Sequence, residues 1–314
     1  MQIYLEEEGK TLLRQGFSLS RTAVALGGFD AIHVGHQAII RRVVAAARER
    51  GLSAVVHLFC NQPRTVLCGG AAEQVCDMET RLAVLEQLGV DAVVAQWFTR
   101  DYLGITPQMF VKDWLKDCLD AKFLAAGFNY HFGSGKTGDA AMLERLAAPL
   151  GMTVSCVPCV EVLGKPVSST RIRELIRRGS MEEAAACLGR PFSMQGTVVC
   201  GNQIGRTIGF PTANTEIPSG LILPKFGVYV TEAMADGVWY TAITNVGSKP
   251  TVVPNQTCIE THLLGYHGDL YGKKLKLRFC RYLRDITRFP SLDALKAQLQ
   301  ADSAAAMQYQ KERK

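Results

Sequence analysis

The sequence predicts an α/β protein in two parts: a doubly wound parallel sheet, then a small antiparallel β-barrel domain with a C-terminal helix. Three observations carry this expectation. Through the first half, short apolar runs alternate with segments of helical period. Near residue 190 the pattern changes to short strands between turns. The last segment, 291–309, returns to an amphipathic helical period. Strand–helix alternation calls for parallel strands joined by crossover helices, with helices on both faces. Closely spaced strands without long helical periods suit a small closed antiparallel sheet.

Taken in order, Thr22–Leu26 is an apolar run ending in Gly27-Gly28, as a buried strand does. Gly35–Arg50 carries Ile39, Ile40, Val43, Val44 and Ala47 at helical spacing and stops at Gly51. Strands follow at Ala54–Phe59, Asp91–Gln96, Lys122–Gly127 and Met152–Val160. Between them lie helices at Glu79–Leu88, Thr106–Leu119 and Ala140–Leu150, the second opening with a Thr-Pro pair suited to N-cap and N1. Short helices at Ser169–Arg178 and Met181–Leu188 end at Gly189-Arg190-Pro191. The expected boundary is therefore residue 188, giving domains 1–188 and 189–314. The second domain has strands at Gly196–Cys200, Gly227–Met234, Val238–Ile243, Cys258–Leu264 and Lys274–Cys280, then the helix Ser291–Tyr309.

The bulk numbers bound the function. A chain of 314 residues, 47% hydrophobic and 20% charged, can bury two cores. Its net charge of +6 suits anionic small substrates such as nucleotides and is too mild for a nucleic-acid-coating surface. The opening MQIYLEEEGK has neither the basic nor the apolar region of a signal peptide, and no apolar run is long enough to span a bilayer. The expectation is a cytoplasmic protein with ten reduced cysteines, no nucleic-acid or membrane partner, and a monomeric or weakly homo-oligomeric state. The Asn255-Gln256-Thr257 triplet is then expected to carry no glycan.

Gly27-Gly28-Phe29-Asp30-Ala31-Ile32-His33-Val34-Gly35-His36 follows the first expected strand and opens the first helix. Free N–H groups and the positive dipole end make a helix N-terminus a phosphate site, and two histidines flanking a glycine can reach the same phosphates. Val167-Ser168-Ser169-Thr170-Arg171-Ile172-Arg173 places capping hydroxyls and basic residues at another helix start. Gly127-Phe128-Asn129-Tyr130-His131-Phe132-Gly133 ends a strand where doubly wound sheets bind ligands. Two patterns carry less. Gly135-Lys136-Thr137 lacks the earlier glycine of a phosphate-binding loop, since that position is Tyr130. Cys156-Val157-Pro158-Cys159 has redox or metal spacing but no second cysteine pair, so a structural role is expected.

In the second half, Gly201-Asn202-Gln203-Ile204-Gly205-Arg206-Thr207-Ile208-Gly209-Phe210-Pro211-Thr212-Ala213-Asn214 combines closely spaced glycines with Pro-Thr-Ala-Asn. The glycines let backbone N–H groups approach phosphates, and the Thr212 hydroxyl and Asn214 carbonyl are hard oxygen ligands suited to Mg²⁺. Asn245-Val246-Gly247-Ser248-Lys249-Pro250-Thr251, Glu260-Thr261-His262-Leu263-Leu264 and Asp269-Leu270-Tyr271-Gly272 follow in that order.

These motifs, in this order, resemble the bifunctional riboflavin kinase/FMN adenylyltransferases, the prokaryotic FAD synthetase family, from Val24 to about Ala304. The resemblance implies a nucleotidylyltransferase-like first domain and a riboflavin kinase second domain. It implies an enzyme that phosphorylates riboflavin to FMN and adenylylates FMN to FAD, releasing pyrophosphate, with ATP, riboflavin and FMN as small-molecule partners and Mg²⁺ as cofactor. Glu260 would be the kinase base. His33 and His36 would stabilise the ATP phosphates, and Arg173 the leaving pyrophosphate. Gly28, Phe29, Asp30, Gly35, Ser169 and Thr170 would contact ATP in the first domain. Gly201, Gly205, Arg206, Gly209, Pro211 and Asn245 would do so in the second, with Thr212 and Asn214 on the metal. Asn129 and Gln62 would contact flavin. The chain departs from the family at Ala31, where glycine is usual, at Asn61-Gln62 before Pro63, and at His131. Those departures, all in the first half, keep open a monofunctional kinase with a decayed first domain, alongside a non-catalytic flavin-binding module.

Overall fold

A computed structural model describes residues 1–6, 17–69, 73–201, 205, 208–248 and 257–312. The chain divides into two compact units, Met1–Ser169 and Thr170–Lys314.

The first unit is a six-stranded, wholly parallel sheet. Its strands are β1 (Gln2–Leu5), β2 (Thr22–Leu26), β3 (Ser53–Phe59), β4 (Ala92–Gln96), β5 (Ala121–Gly127) and β6 (Thr153–Val157), in the spatial order β1-β4-β3-β2-β5-β6. Side chains alternate across a strand, and here both faces are buried. Ala23 and Ala25 of β2 pack with Ile40 and Val43 of α1 (Val34–Arg50) and with Leu85 of α3 (Met78–Gln87). Val24 and Leu26 face the other way, toward Phe110, Trp114 and Leu115, with Leu143 of α5 (Ala140–Ala147). The α1 face of the sheet is lined largely by alanines, which lets the helix approach closely. Between α1 and α3 lies α2 (Pro63–Cys68).

The strand order places a switch between β2 and β5. From β2 the chain winds outward through β3 and β4, then returns to β5 on the other side. Leu26 and Ala126 are register partners, so the loops after Leu26 and Gly127 leave the sheet side by side. Such a divergence is where open α/β sheets bind ligands.

Expected and observed elements agree closely, with informative exceptions. Gly51 closes α1 in the left-handed conformation. Thr106 caps α4 (Pro107–Met109) through a 3.2 Å bond from the Met109 N–H, but the helix then widens to a π-helix over Phe110–Cys118. The strand expected over Met152–Val160 ends at Val157, before Pro158, and a two-stranded hairpin follows, β7 (Glu161–Val162) with β8 (Lys165–Pro166).

The second unit opens with α6 (Ser169–Arg178) and α7 (Met181–Leu188). A closed antiparallel barrel follows: β9 (Phe192–Val199), β10 (Ala213–Glu216), β11 (Gly227–Ala235), β12 (Val238–Ser248), β13 (Thr257–Leu263) and β14 (Lys274–Arg284). Round the barrel the order is β10-β13-β12-β11-β14-β9, closed by pairing of β9 with β10. Tyr229, Phe279 and Phe192 form part of its buried filling, and the Thr231, Thr244 and Thr261 hydroxyls join in a line at 2.8 and 3.0 Å. The closing helix α8 (Leu292–Glu312) packs Ala306 and Tyr309 against Val228, Val230 and Ile243.

The division at Ser169/Thr170 falls at the first residue of α6, whereas the sequence suggested a boundary at about residue 188. The helical period of 169–188 looks like a continuation of the first half, but tertiary contacts tie these helices to the barrel. The Lys225 N–H donates to Ile176 O at 3.2 Å, Glu182 pairs with Arg281 at 2.7 Å, and α7 packs on β9 and β14.

Candidate active sites

In the first unit, the loop from β2 to α1 is a tight, strained turn. Phe29 (φ 44°) and Ile32 (φ 41°) sit in the left-handed region although neither is glycine. Each costs about 1–2 kcal/mol, and both side chains are fully buried, which holds the conformation. Ala31 takes an ordinary φ, so the substitution of Ala for the family's glycine brings no backbone penalty; the strain lies on its neighbours.

His33 is the N-cap of α1. Its Nδ1 accepts the His36 N–H at 3.2 Å, which in a neutral imidazole leaves Nε2 carrying the proton. The two imidazoles stack at 3.7 Å between centroids, and Phe29 abuts His36 edge-on at 5.1 Å. Gly35 lies beside this stack: a Cβ there would sit 3.2 Å from the His33 ring. At Gly28 the same addition meets nothing within 4 Å. The Gln37 side chain donates to Ile32 O at 3.0 Å and fixes the loop from below.

Asp30 is buried and its carboxylate accepts the Val75 N–H at 3.1 Å, so it braces the segment before α3. Arg81, also buried, donates to Phe59 O at 2.9 Å; burial lowers its pKa, opposed by the nearby Asp30 charge. Asn61 clasps the Phe98 backbone with both side-chain atoms, at 2.8 and 2.9 Å, while Gln62 caps α2 without a side-chain bond. The chain's departure at Asn61 is thus a structural clasp. Asn129 stands exposed beyond β5, beside Phe128, which is also exposed. Ser169, Thr170 and Arg173 occupy the first turn of α6, where the two units divide. The Cys156 and Cys159 thiols are exposed, so the structural role expected for them is not one of core packing. Among the described residues no group of three or more His, Cys, Asp or Glu could hold a metal ion.

In the barrel, the expected site residues are joined by strand register. Asn214 on β10 is the register partner of Glu260 on β13, and Glu260 is the partner of Asn245 on β12. One row across three neighbouring strands therefore carries all three. Gly201 fits against this row: a Cβ there would lie 2.2 Å from Asn214 Nδ2. Gly205 closes on Phe210 O in the same way, 2.2 Å from a built Cβ that also lies 3.6 Å from Thr212 Oγ1. Gly209 takes a positive φ of 85°, and the His262 Nδ1–H donates to Pro211 O at 2.8 Å, holding the turn ahead of Thr212. Cys258, buried, lies 3.4 Å from Asn214 Oδ1 and 3.5 Å from Glu260 Oε1. Two cavities flank β10: one of about 460 Å³ beside Asn214 and Cys258, one of about 590 Å³ beside Thr212 and Tyr271. Arg206, Asn202 and Lys249-Pro250-Thr251 lie outside the described residues.

Sequence reasoning did not find Gln37, Arg81, His262 or Cys258. Only His262 had a signal, its place inside Glu-Thr-His-Leu-Leu; the others act through contacts that no local pattern announces.

A strained, histidine-capped helix start at a sheet switch point, and a barrel row of carboxylate and amides beside glycines, define a two-site, ATP-dependent transferase. Residues 17–171 match the FAD synthetase family and residues 188–310 the riboflavin kinase family. The bifunctional riboflavin kinase/FMN adenylyltransferase of Escherichia coli (strain K12) is 34% identical, covering 91% of this chain and 92% of its own. That of Pseudomonas fluorescens is 35% identical over 90% of each. A crystal structure described as a macrolide-efflux protein from Streptococcus pneumoniae is 33% identical and has a TM-score of 0.88, covering 94% of this chain and 96% of that one. Efflux is the description of that protein; among the described residues here, no helix is long and apolar enough to cross a membrane. The chain belongs to the family of bifunctional riboflavin kinase/FMN adenylyltransferases.

Proposed function

We propose that the barrel unit converts riboflavin to FMN and that the parallel-sheet unit converts FMN to FAD, each consuming one ATP. The observation that carries the first half is the Asn214–Glu260–Asn245 row. Glu260 takes the proton from the riboflavin 5′-hydroxyl as that oxygen bonds to the γ-phosphorus and the bond to the β–γ bridging oxygen breaks, releasing ADP. The glycines at 201 and 205 let the loop close on Asn214 and Phe210, which fixes the backbone beside Thr212 and Asn214.

Thr212 and Asn214 offer two neutral hard oxygens. That fits an Mg²⁺ ion delivered with ATP better than a resident ion held by protein carboxylates. When bound, the ion supplies charge neutralisation at the phosphates.

In the parallel-sheet unit, an FMN phosphate oxygen attacks the α-phosphorus of ATP and pyrophosphate leaves. The α1 N-terminus and the His33 Nε2–H face growing negative charge with preorganised donors. For Ser169, Thr170 and Arg173, on α6, the phosphate-contacting roles rest on the family motif alone. The use of ATP in both steps supports a cytoplasmic protein with small-molecule partners; a monomer or weak homo-oligomer is the expected state.

The test is reciprocal. Glu260→Gln should slow FMN formation by about two to four decades and leave FAD formation from supplied FMN unchanged. The double change His33→Ala, His36→Ala should do the reverse. Normal FMN turnover by Glu260→Gln removes the base; wild type making FMN but no FAD from FMN and Mg-ATP removes the second activity.

A further inference from the structure

The barrel site contains a nucleophilic side chain to which the mechanism above gives no part. Cys258 and Glu260 are two residues apart on β13, so both point to one side of the strand. Asn214, opposite Glu260 on β10, points to the same side. The Cys258 sulfur fills the space between them, 3.5 Å from Glu260 Oε1 and 3.4 Å from Asn214 Oδ1, and the side chain is buried. The thiol is thus a weak donor fixed beside the Glu260 carboxylate.

We propose that Cys258 is a positioning residue of the kinase reaction. Its thiol holds the Glu260 carboxylate and the Asn214 amide at a set separation, so that the base keeps its place relative to the residue opposite it on β10. A thiol suits the place. Its one proton can serve the carboxylate oxygen, the stronger acceptor, without neutralising it as a cation would. Its volume keeps the carboxylate from collapsing onto Asn214. The proposal rests on the assignment of Glu260 as base. Because the thiol touches neither riboflavin nor ATP in this account, its loss should alter turnover and not substrate affinity.

The experiment compares Cys258→Val, which keeps bulk and removes the donor, with Cys258→Ser, which keeps a donor. Steady-state riboflavin phosphorylation is followed in the full-length chain, with Glu260→Gln alongside and thermal melting of each variant. Cys258→Val should lower kcat by about tenfold to a hundredfold, the usual scale for misplacing a reacting group, with KM for riboflavin and ATP within about threefold. Cys258→Ser should recover kcat to within about threefold of wild type. If Val melts far below wild type, Cys258→Ala replaces it as the donor-free variant. Wild-type kcat in the donor-free variant overturns the proposal, and so does an equal loss in Ser and Val, which would mean volume alone matters. A raised KM with intact kcat also overturns it. In those cases an inactive Glu260→Gln leaves the base assignment standing; an active Glu260→Gln sinks both.

Discussion

The parallel-sheet site and the barrel site are built by opposite routes. In the sheet unit, His33, Gly35 and His36 lie within four consecutive residues, and one side-chain cap sets their geometry. In the barrel, Asn214, Asn245 and Glu260 come from three strands and meet only because the register of a closed sheet aligns them. The first kind of site depends on one turn and the second on the whole fold. Damage far from the chemistry should therefore reach the kinase more readily than the adenylyltransferase.

The largest expected effect concerns what the barrel needs in order to close. Fragment 170–314 should melt cooperatively and phosphorylate riboflavin, whereas fragment 189–314 should not melt cooperatively. The shorter piece loses α7, whose Met181 and Leu188 are buried. Those two side chains represent roughly 3–6 kcal/mol against a total stability of about 5–15 kcal/mol. Differential scanning calorimetry on both fragments decides between the two boundaries, and a native-like melt of 189–314 would favour the one at residue 188.

Next comes acid, to which the sheet unit should respond on its own account. Burial lowers the pKa of His57 from 6.5 to about 4, while Gln96 accepts its Nε2–H at 2.7 Å. Between those values the unfolded chain binds a proton that the folded chain refuses. Stability from this group is thus full above pH 6.5 and declines as pH falls through 4, by about 3 kcal/mol in all. Urea titrations at pH 7 and pH 5 should show the loss in wild type and a flatter response in His57→Gln. Equal slopes in the two proteins would remove His57 as the cause.

A steric change of comparable reach is Gly201→Ala. A Cβ 2.2 Å from Asn214 Nδ2 must displace the amide or the strand, and riboflavin phosphorylation should fall by about a hundredfold while FAD formation from FMN is untouched. Retained kinase activity would show that the barrel row tolerates movement.

The smallest effects separate Gly28 from Gly35. Gly35→Ala brings a Cβ to 3.2 Å from the His33 ring and should slow FAD formation by about tenfold. Gly28→Ala meets only open space, so the melting temperature should not change. If phosphate occupies that space, KM for ATP rises; an unchanged KM moves the phosphates elsewhere.

The same contrast explains how much was legible in the sequence. The α1 loop could be read because its function is local: a strand end, a cap and two histidines in one run. The barrel motifs showed which residues matter but not how they meet, because strand pairing is long-range. Cys258 could not have been singled out, since its importance depends on Asn214 lying across from Glu260. The α6–α7 pair continues the helical period of the first half, and the riboflavin kinase match begins at residue 188, yet contacts such as Glu182–Arg281 join the pair to the barrel; no local pattern announces those contacts. β1 is a four-residue, mostly exposed edge strand, and QIYL carries no apolar run to mark it. At Ala31 the family pattern pointed to backbone freedom, yet Phe29 and Ile32 carry the positive φ angles because buried packing can impose what glycine would otherwise supply.

The cap on α1 has an evolutionary corollary. Asn, Asp and Ser are stronger N-caps than most residues, so replacing His33 by any of them would leave the helix as secure as before or more so. Selection for folding alone would not retain an imidazole there. A lineage that stopped needing FAD from this unit could lose His33 without losing a well-formed protein. The residue at this cap is therefore a sensitive marker, among descendants of this fold, of whether the first unit is still under selection for chemistry.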